Sequence, residues 1–385
     1  MRAVILPFAL LTLALAACQD KDATPKLSEA PVAPQISNQK IDPAVDQASL
    51  AVWDRGAVAL ASSQVELKAL RDSVQALLQN PTQATLNQAR EQWHVAHNSQ
   101  QAFSLFFAMG AAHPGLFVKL DNVHDQLDGW PIQPGFLDYF DVYTHSGLVN
   151  DIAIPVTAKA LKEAHQQFDP ADRALGLHPI AYLLWGDKGQ RPVTDFVKQA
   201  LKATGEDEPN VEDLANNRRR ALLGLMVELA IDSLDRLATR WQDVGDYTKV
   251  YTSLSAQQRS EILRTSSIYL IEELLINKQL QPQLDAISQA HLEVASHNQY
   301  SGGGKRLLSA QLNGLALLIE QNQSSALIAH WSKGAAKSWL EQLAAANRVL
   351  DKLPEEGTAT ETQWVAAIAA LQQLSQPLKV EVEPL

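Results

Sequence analysis

The chain has 385 residues, with 32 Lys and Arg against 43 Asp and Glu and a formal net charge of −11. This acidic balance argues against nucleic acid as a partner, since binding to a phosphate backbone requires clustered positive charge. The one run of basic residues, Arg218–Arg220, is expected to lie on a solvated or interdomain helix face. Cys18 is the only cysteine, which excludes a disulfide framework or a cysteine-based metal site within one chain.

The first 17 residues have the form of a secretory signal peptide. Arg2 precedes an apolar run, and residues 15–18 end in the cysteine of a lipobox. The pattern predicts cleavage before Cys18 and lipidation of that residue, and Gln19 after it favours sorting to the outer membrane of a Gram-negative cell. Lipid chains on one residue can hold a soluble domain at a membrane. We therefore expect a lipid-anchored protein on the periplasmic side of the outer membrane.

Three regions are predicted after the signal. Residues 18–45 are rich in Pro, Gln, Ser, Asp and Lys and have few large apolar side chains, so they predict a flexible tether. The remaining chain is long for a single core and suggests two domains, at 46–205 and 206–385.

Helical periodicity extends over most of these two domains. From Leu222 to Trp241, for example, apolar residues recur at spacings of three and four, which places them on one stripe of a helix. Runs of alternating β-branched and polar residues are almost absent, so the sequence predicts an all-α protein of antiparallel helices. The predicted helices cover residues 45–79, 83–108, 208–242, 258–276, 279–299, 305–321, 324–351 and 360–375.

The region 109–160 is the least helical and is dense in Gly and Pro. We expect an irregular loop region there, and a long loop inside a compact helical protein usually has a function. It contains Trp130-Pro131 and a later Asp138-Tyr139 pair. Two motifs follow it: residues 176–186 read GLHPIAYLLWG, and residues 191–196 read RPVTDF.

These pieces, in this order and spacing, resemble the imelysin family of bacterial periplasmic and lipoprotein domains. The resemblance implies a fold of two helical-bundle halves, four-helix-bundle-like and packed together, with the His-containing motif near their junction. It also implies a role in iron uptake, since members are often iron-regulated lipoproteins, and some have been classed as metallopeptidases because of a Gly-x-His-x-x-Glu motif. The matching residues are Trp130, Pro131, Asp138, Tyr139, Gly176, His178, Leu183, Leu184, Trp185, Gly186, Arg191, Pro192, Thr194 and Asp195.

The chain departs from the family motif at Ala181, where the family has Glu. A His and a Glu at positions i and i+3 share a helix face and could bind one ion together. Because of Pro179, we expect the helix to begin after His178, with the proline at its first position. His178 is then either a single ligand for iron or another divalent metal, or a buried and hydrogen-bonded residue of a packed junction. We favour the second interpretation.

A second candidate pair is His94 and His97, which lie at positions i and i+3 on one predicted helix and could share an ion. The pair would need partners from elsewhere, so we expect exposed polar residues instead. The residues of suitable type on a nearby predicted loop are Asp121, His124, Asp125 and Asp128.

A buried polar network is expected between the Asp138-Tyr139 segment, the segment 191–195 and His178, either as architecture or as part of a ligand pocket. Arg pairs well with a carboxylate in such a network because it is always charged and binds in a bidentate fashion. The candidate junction residues are Trp130, Asp138, Tyr139, His178, Tyr182, Trp185, Arg191 and Asp195.

Two classes of function follow. The favoured one is a non-catalytic lipoprotein that binds an iron-related ligand or a periplasmic partner protein. A purely structural scaffold is a variant of this hypothesis, and the two differ only in what occupies the junction. The alternative is a metal-dependent peptidase in which another part of the fold replaces the missing Glu. Three or more His, Asp or Glu around His178 would favour metal chemistry. An aromatic junction without such a cluster would favour an organic ligand or a partner protein.

Overall fold

The computed structural model describes residues 42–201, 210–288, 294–354 and 359–379. The predicted signal peptide, Cys18 and nearly all of the predicted tether lie outside these ranges. Within them the regular structure is helical and no β-strand is present, apart from one isolated bridge between Phe140 and Tyr143. The predicted all-α fold is therefore confirmed.

The described part of the chain begins with two long helices whose starts are capped by side chains. In α1 (Pro43–Gln79), Pro43 occupies the first position and the Asp42 carboxylate accepts a hydrogen bond from the amide of Ala44. In α2 (Gln83–Gln101), the hydroxyl of Thr82 accepts from the amide of Thr85. The two helices pack along each other. The next helices are α3 (Ser104–Ala112), α4 (Leu120–Asp128), α5 (Pro134–Leu137), α6 (Gly147–Asn150), α7 (Ala158–Ala164) and α8 (Leu177–Trp185).

The second part of the chain contains the other long helix, α9 (Ala215–Trp241), which packs against α1. A π-helix over Leu270–Leu280 continues directly from α11 into α12. Residues 294–303 then have no helix. The remaining α-helices are α10 (Asp246–Ser253), α11 (Ala256–Tyr269), α12 (Gln281–Ser288), α13 (Gly304–Asn313), α14 (Ala326–Trp331), α15 (Ala336–Leu350) and α16 (Glu361–Ser375). Short 3₁₀ helices cover Val193–Phe196, Val211–Asp213, Gly314–Leu318 and Gln376–Leu378.

Aromatic residues anchor the core where α1, α9 and α10 meet. The ring of Trp53 stacks between those of Trp241 and Tyr251, with centroid distances of 3.8 and 4.3 Å. Burial of rings this large is a major source of core stability. Because α1 also packs against α11, helices from both predicted domains share contacts. The domain boundary at residues 205 and 206 stays a prediction.

Several local predictions are wrong. The predicted helix 324–351 breaks between α14 and α15, at residues 332–335. The predicted helix 279–299 ends as α12 at Ser288 among the described residues, and 294–303 is irregular, with Gly302 and Gly303 in the left-handed region. The predicted helix 83–108 breaks between α2 and α3. Helix α8 begins at Leu177 rather than after His178, so His178 is already helical. None of the described helices is long and apolar enough to cross a membrane.

Candidate metal centre

Four buried side chains from four separate parts of the chain converge on one point. They are His97 on α2, Asp128 at the end of α4, His178 on α8 and His297 in the irregular segment 294–303. One possible ligand atom from each lies within 4.8 Å of all the others. The Nε2 atoms of His97, His178 and His297 lie 2.6, 3.0 and 3.2 Å from the same oxygen, Oδ1 of Asp128. Three imidazoles and a carboxylate are a donor set that suits iron, zinc and related transition metals.

Gly176 allows α8 to start directly against the end of α4. Its φ of 102° lies in the left-handed region, and a Cβ there would lie 2.5 Å from the carbonyl oxygen of Gln126 and 2.9 Å from that of Leu127. Only glycine tolerates both the conformation and the close approach. The contact brings His178, two residues after the glycine, to Asp128 at the end of α4.

Tryptophans hold two of the histidines in place. The indole N–H of Trp93 on α2 donates to the carbonyl oxygen of Leu177 at 2.8 Å, which ties α2 to the start of α8. The ring of Trp93 also packs against His97, with centroids 4.7 Å apart. Trp130 stacks on His297 at 4.9 Å with an interplanar angle of 21°. The histidine rings therefore have fixed orientations before any ion binds.

Burial sets the protonation state of the cluster. It lowers the pKa of both His178 and His297, that of His297 to about 3, against the opposing effect of Asp128. Burial alone would raise the pKa of Asp128, but the facing imidazoles, His297 and His97 first, hold it well below its usual range. His178 and His297 are thus neutral at neutral pH and Asp128 is ionised, which are the protonation states that metal ligands require. The second carboxylate oxygen of Asp128 accepts a hydrogen bond from Gln101 at 2.8 Å.

The hydrogen bond on the far side of His297 fixes which of its nitrogens carries the proton. The amide nitrogen of Gln279 donates to the carbonyl of Leu274 and to Oε1 of Gln311, so its oxygen faces Nδ1 of His297 at 3.3 Å. An oxygen can only accept, so Nδ1 carries the proton and Nε2 of the neutral ring has a free lone pair. That lone pair faces Oδ1 of Asp128. Two lone pairs at 3.2 Å repel each other unless a cation lies between them, so the residues fit a metal ion.

A second buried network lies beside the cluster and contains most of the other predicted junction residues. The carboxylate of Asp138 binds Arg191 at 2.8 Å and Arg219 at 2.6 Å. Arg191 also binds Asp195 at 3.0 Å, and the hydroxyl of Tyr139 donates to Asp195 at 2.7 Å. These contacts fasten the loops at 138–139 and 191–195 to α9.

The predicted inclusion of His178 in this network is wrong, because its hydrogen bond goes to Asp128. Helix α8 joins this network through Tyr182, whose hydroxyl donates to the carbonyl of Tyr139 at 2.9 Å. Trp185, at the end of α8, packs against Trp93 with centroids 5.4 Å apart. Among the predicted junction residues, His178 therefore belongs to the metal-ligand cluster and Trp130 contacts it.

Four other residues, His97, Asp128, Arg218 and Arg219, differ in burial or local structure from the sequence prediction. His97 is fully buried, so the expectation of an exposed pair is wrong, whereas His94 does not belong to the cluster. Asp128 is the last residue of a helix and not part of a loop. Arg218 and Arg219 are buried, and Arg219 binds Asp138 in the other predicted domain. The solvated face expected for the basic run is therefore wrong for these two residues, whereas the interdomain face agrees with their contacts.

His297 was missed because the region around it was predicted as a continuous helix with no functional motif. The signal that could have found it is the density of His, Asn, Ser and Gly in residues 296–304, which is typical of a loop. Arg219 could have been found from its place at the start of the long α9.

The fold and the site define a class of all-helical protein in which separate helices and one irregular segment bring four possible metal ligands together in the interior. The sequence profile of the imelysin family matches residues 58–380, and the chain belongs to that family. A search of curated proteins finds none that matches.

Two solved structures are similar in fold. An imelysin-like protein from Psychrobacter arcticum 273-4 is 15% identical, with a TM-score of 0.51, and the match covers 91% of this chain and 98% of that one. A protein assigned as an iron-regulated protein A precursor, from Parabacteroides distasonis ATCC 8503, is 11% identical, with a TM-score of 0.58 and coverage of 88% and 95%. At these identities the likeness supports the fold alone.

Proposed function

We propose that the protein binds one transition metal ion, iron in the first place, through His97, Asp128, His178 and His297, and that it serves iron acquisition or homeostasis. The observation that carries the proposal is the convergence of three imidazole Nε2 atoms on one carboxylate oxygen in the interior. Imidazole and carboxylate ligands suit iron, zinc and manganese. The description of one structural relative as iron-regulated supports iron among these.

Burial of the ligands favours binding over hydrolysis. The exposed fractions of the four residues are 0% for His97, 3% for Asp128, 5% for His178 and 8% for His297. A peptidase must bring the carbonyl group of a polypeptide to its metal, and side chains this buried present little surface to an extended chain. Asp128 supplies a carboxylate ligand in place of the family's Glu, which is Ala181 in this chain. The metal-dependent peptidase therefore stays the second candidate.

The test is to load the full-length chain with Fe²⁺, Zn²⁺ or Mn²⁺ and to measure bound metal by inductively coupled plasma mass spectrometry. We expect about one ion per chain, and a loss of affinity of about 100-fold or more in each of H97Q, H178Q and H297Q, since removal of a ligand costs more than loss of its outer partner. The matched control is H94Q, one turn earlier on α2 and outside the cluster, which should bind metal as the natural chain does. Equal binding by H297Q and H94Q would refute the proposed ligand set.

Peptide cleavage separates the two candidates. Cleavage that requires metal and disappears in H297Q would favour the peptidase, whereas tight binding without cleavage would favour a binding protein. The anchor is tested by the variant C18S, which should leave the membrane fraction if Cys18 carries the lipid. Induction of the protein under iron starvation would support the biological role, and an unchanged level would count against it.

A further inference from the structure

A small cavity lies directly against the metal-ligand cluster. It is lined by Trp130, His178, Ala181, His297 and the neighbouring residues 298–301. The volume open to the centre of a water-sized sphere is about 10 Å³, which is about what one water molecule requires. Two of the four proposed ligands therefore face the same small space.

The short side chain at position 181 keeps this space open. Ala181 lies one helical turn after His178 on α8 and is buried, with 2% of its surface exposed. Its methyl group is part of the cavity wall, so a longer side chain there would extend into the cavity or displace its walls. Trp130 limits the cavity on the side of His297, on which its ring is stacked.

We propose that the metal ion keeps one coordination position open to this cavity and that a small anion, such as hydroxide or azide, binds there. The inference rests on the proposed function, since it requires the ion held by the four residues. Neutral imidazoles and one carboxylate leave a divalent ion with a residual positive charge, which favours an anion as the further ligand. The small volume of the cavity restricts that anion to a few atoms.

The experiment uses the full-length chain loaded with Co²⁺, whose visible absorption reports its coordination. Metal content is measured first, and azide is then titrated against the natural chain, A181L and A181G. The leucine fills the cavity and the glycine enlarges it, at the same position and without changing any proposed ligand. We expect azide to change the spectrum of the natural chain and of A181G, and the response of A181L to be weaker by at least about tenfold in azide affinity, a loss of about 1.4 kcal/mol.

The outcomes distinguish this inference from the proposed function. Stoichiometric Co²⁺ with no azide response in the natural chain would overturn the open position and leave metal binding intact. An equal azide response in A181L that retains its metal would overturn the assigned place of the anion. Imidazole binding as tightly as azide would refute the size limit. Failure to bind metal would be detected before azide is added, and it would refute the proposed function and this inference together. If A181L does not fold, the smaller variant A181V provides the same comparison.

Discussion

Replacement of Asp138 by Asn is expected to be strongly destabilising. The carboxylate is fully buried and binds two guanidinium groups, of Arg191 and Arg219, whose side chains are 0% and 3% exposed. The variant D138N removes the negative charge between them and leaves Asp195, 18% exposed, as the remaining counter-charge, 3.0 Å from Arg191 and 4.0 Å from Arg219. Removal of one partner from a buried ion pair typically costs 3–5 kcal/mol, because the other charge remains desolvated. We expect a loss of about 4 kcal/mol in the free energy of unfolding.

The assay is urea unfolding followed by tryptophan fluorescence and circular dichroism. The control is D72N, because Asp72 pairs with Arg71 at 2.9 Å on the surface, where its side chain is 66% exposed. A surface pair contributes no more than about 1 kcal/mol. A loss below about 1 kcal/mol in D138N, similar to that in D72N, would refute the conclusion that the buried carboxylate holds the two arginines.

Three further outcomes are expected. In Q279L, loss of the acceptor for Nδ1 of His297 should weaken metal binding by about 10–100-fold in a competition assay with a chelator. The variant Q279E keeps an acceptor and should retain the affinity. Unchanged affinity in Q279L would contradict the placement of the proton on Nδ1 of His297. G176A should lose about 1–3 kcal/mol of stability, because residue 176 has a φ of 102° and an added Cβ would contact backbone oxygens. The control is G224A on α9, where the nearest atom to an added Cβ is 3.8 Å away. G224A should be stabilised by about 0.5–1 kcal/mol in the same urea assay. Burial first, and then Arg173, lowers the pKa of His165 to about 4 in the folded state, below the value of about 6.5 in the unfolded chain. Its contribution to stability is therefore complete above pH 6.5 and is lost as the pH falls towards 4, by at most about 1.4 kcal/mol per pH unit and by less because the ring is partly exposed. H165N keeps an acceptor near the amides of Ala174 and Leu175 and should flatten the pH dependence of unfolding over that interval; an unaltered slope would exclude His165 as its source.

Periodicity was enough to predict the helical fold, because helices bury one stripe of apolar residues and that spacing is local in sequence. Helix α1 begins at Pro43, two residues before its predicted start at 45, and α9 begins at Ala215, seven residues after its predicted start at 208. Helix ends were less accurate where a π-helix or a short break interrupts the pattern. At Leu270–Leu280 the chain stays helical in outline while its hydrogen bonding changes, and sequence periodicity does not register that change.

The candidate site was only partly predictable, because its residues meet through long-range packing. His178 was identified from a motif, and Gly176 explains why that motif contains glycine. The sequence predicts an exposed His97, since two histidines on one helix do not reveal what covers them. Asp128 was recognised only as a suitable ligand type. His297 has no motif, and its role depends on its contacts with Gln279, 18 residues earlier, and with Trp130 in a distant part of the chain.

The four proposed ligands are distributed over most of the folded chain, and the last of them follows the first by about 200 residues. A fragment that contains the GLHPIAYLLWG motif alone would supply one imidazole and no carboxylate. Capture of an ion would consequently be the last event in folding, possible only after α2, α4, α8 and the segment around His297 have assembled. Bound metal would then report a completely folded molecule, and metal content would distinguish native chains from misassembled ones in a purified sample.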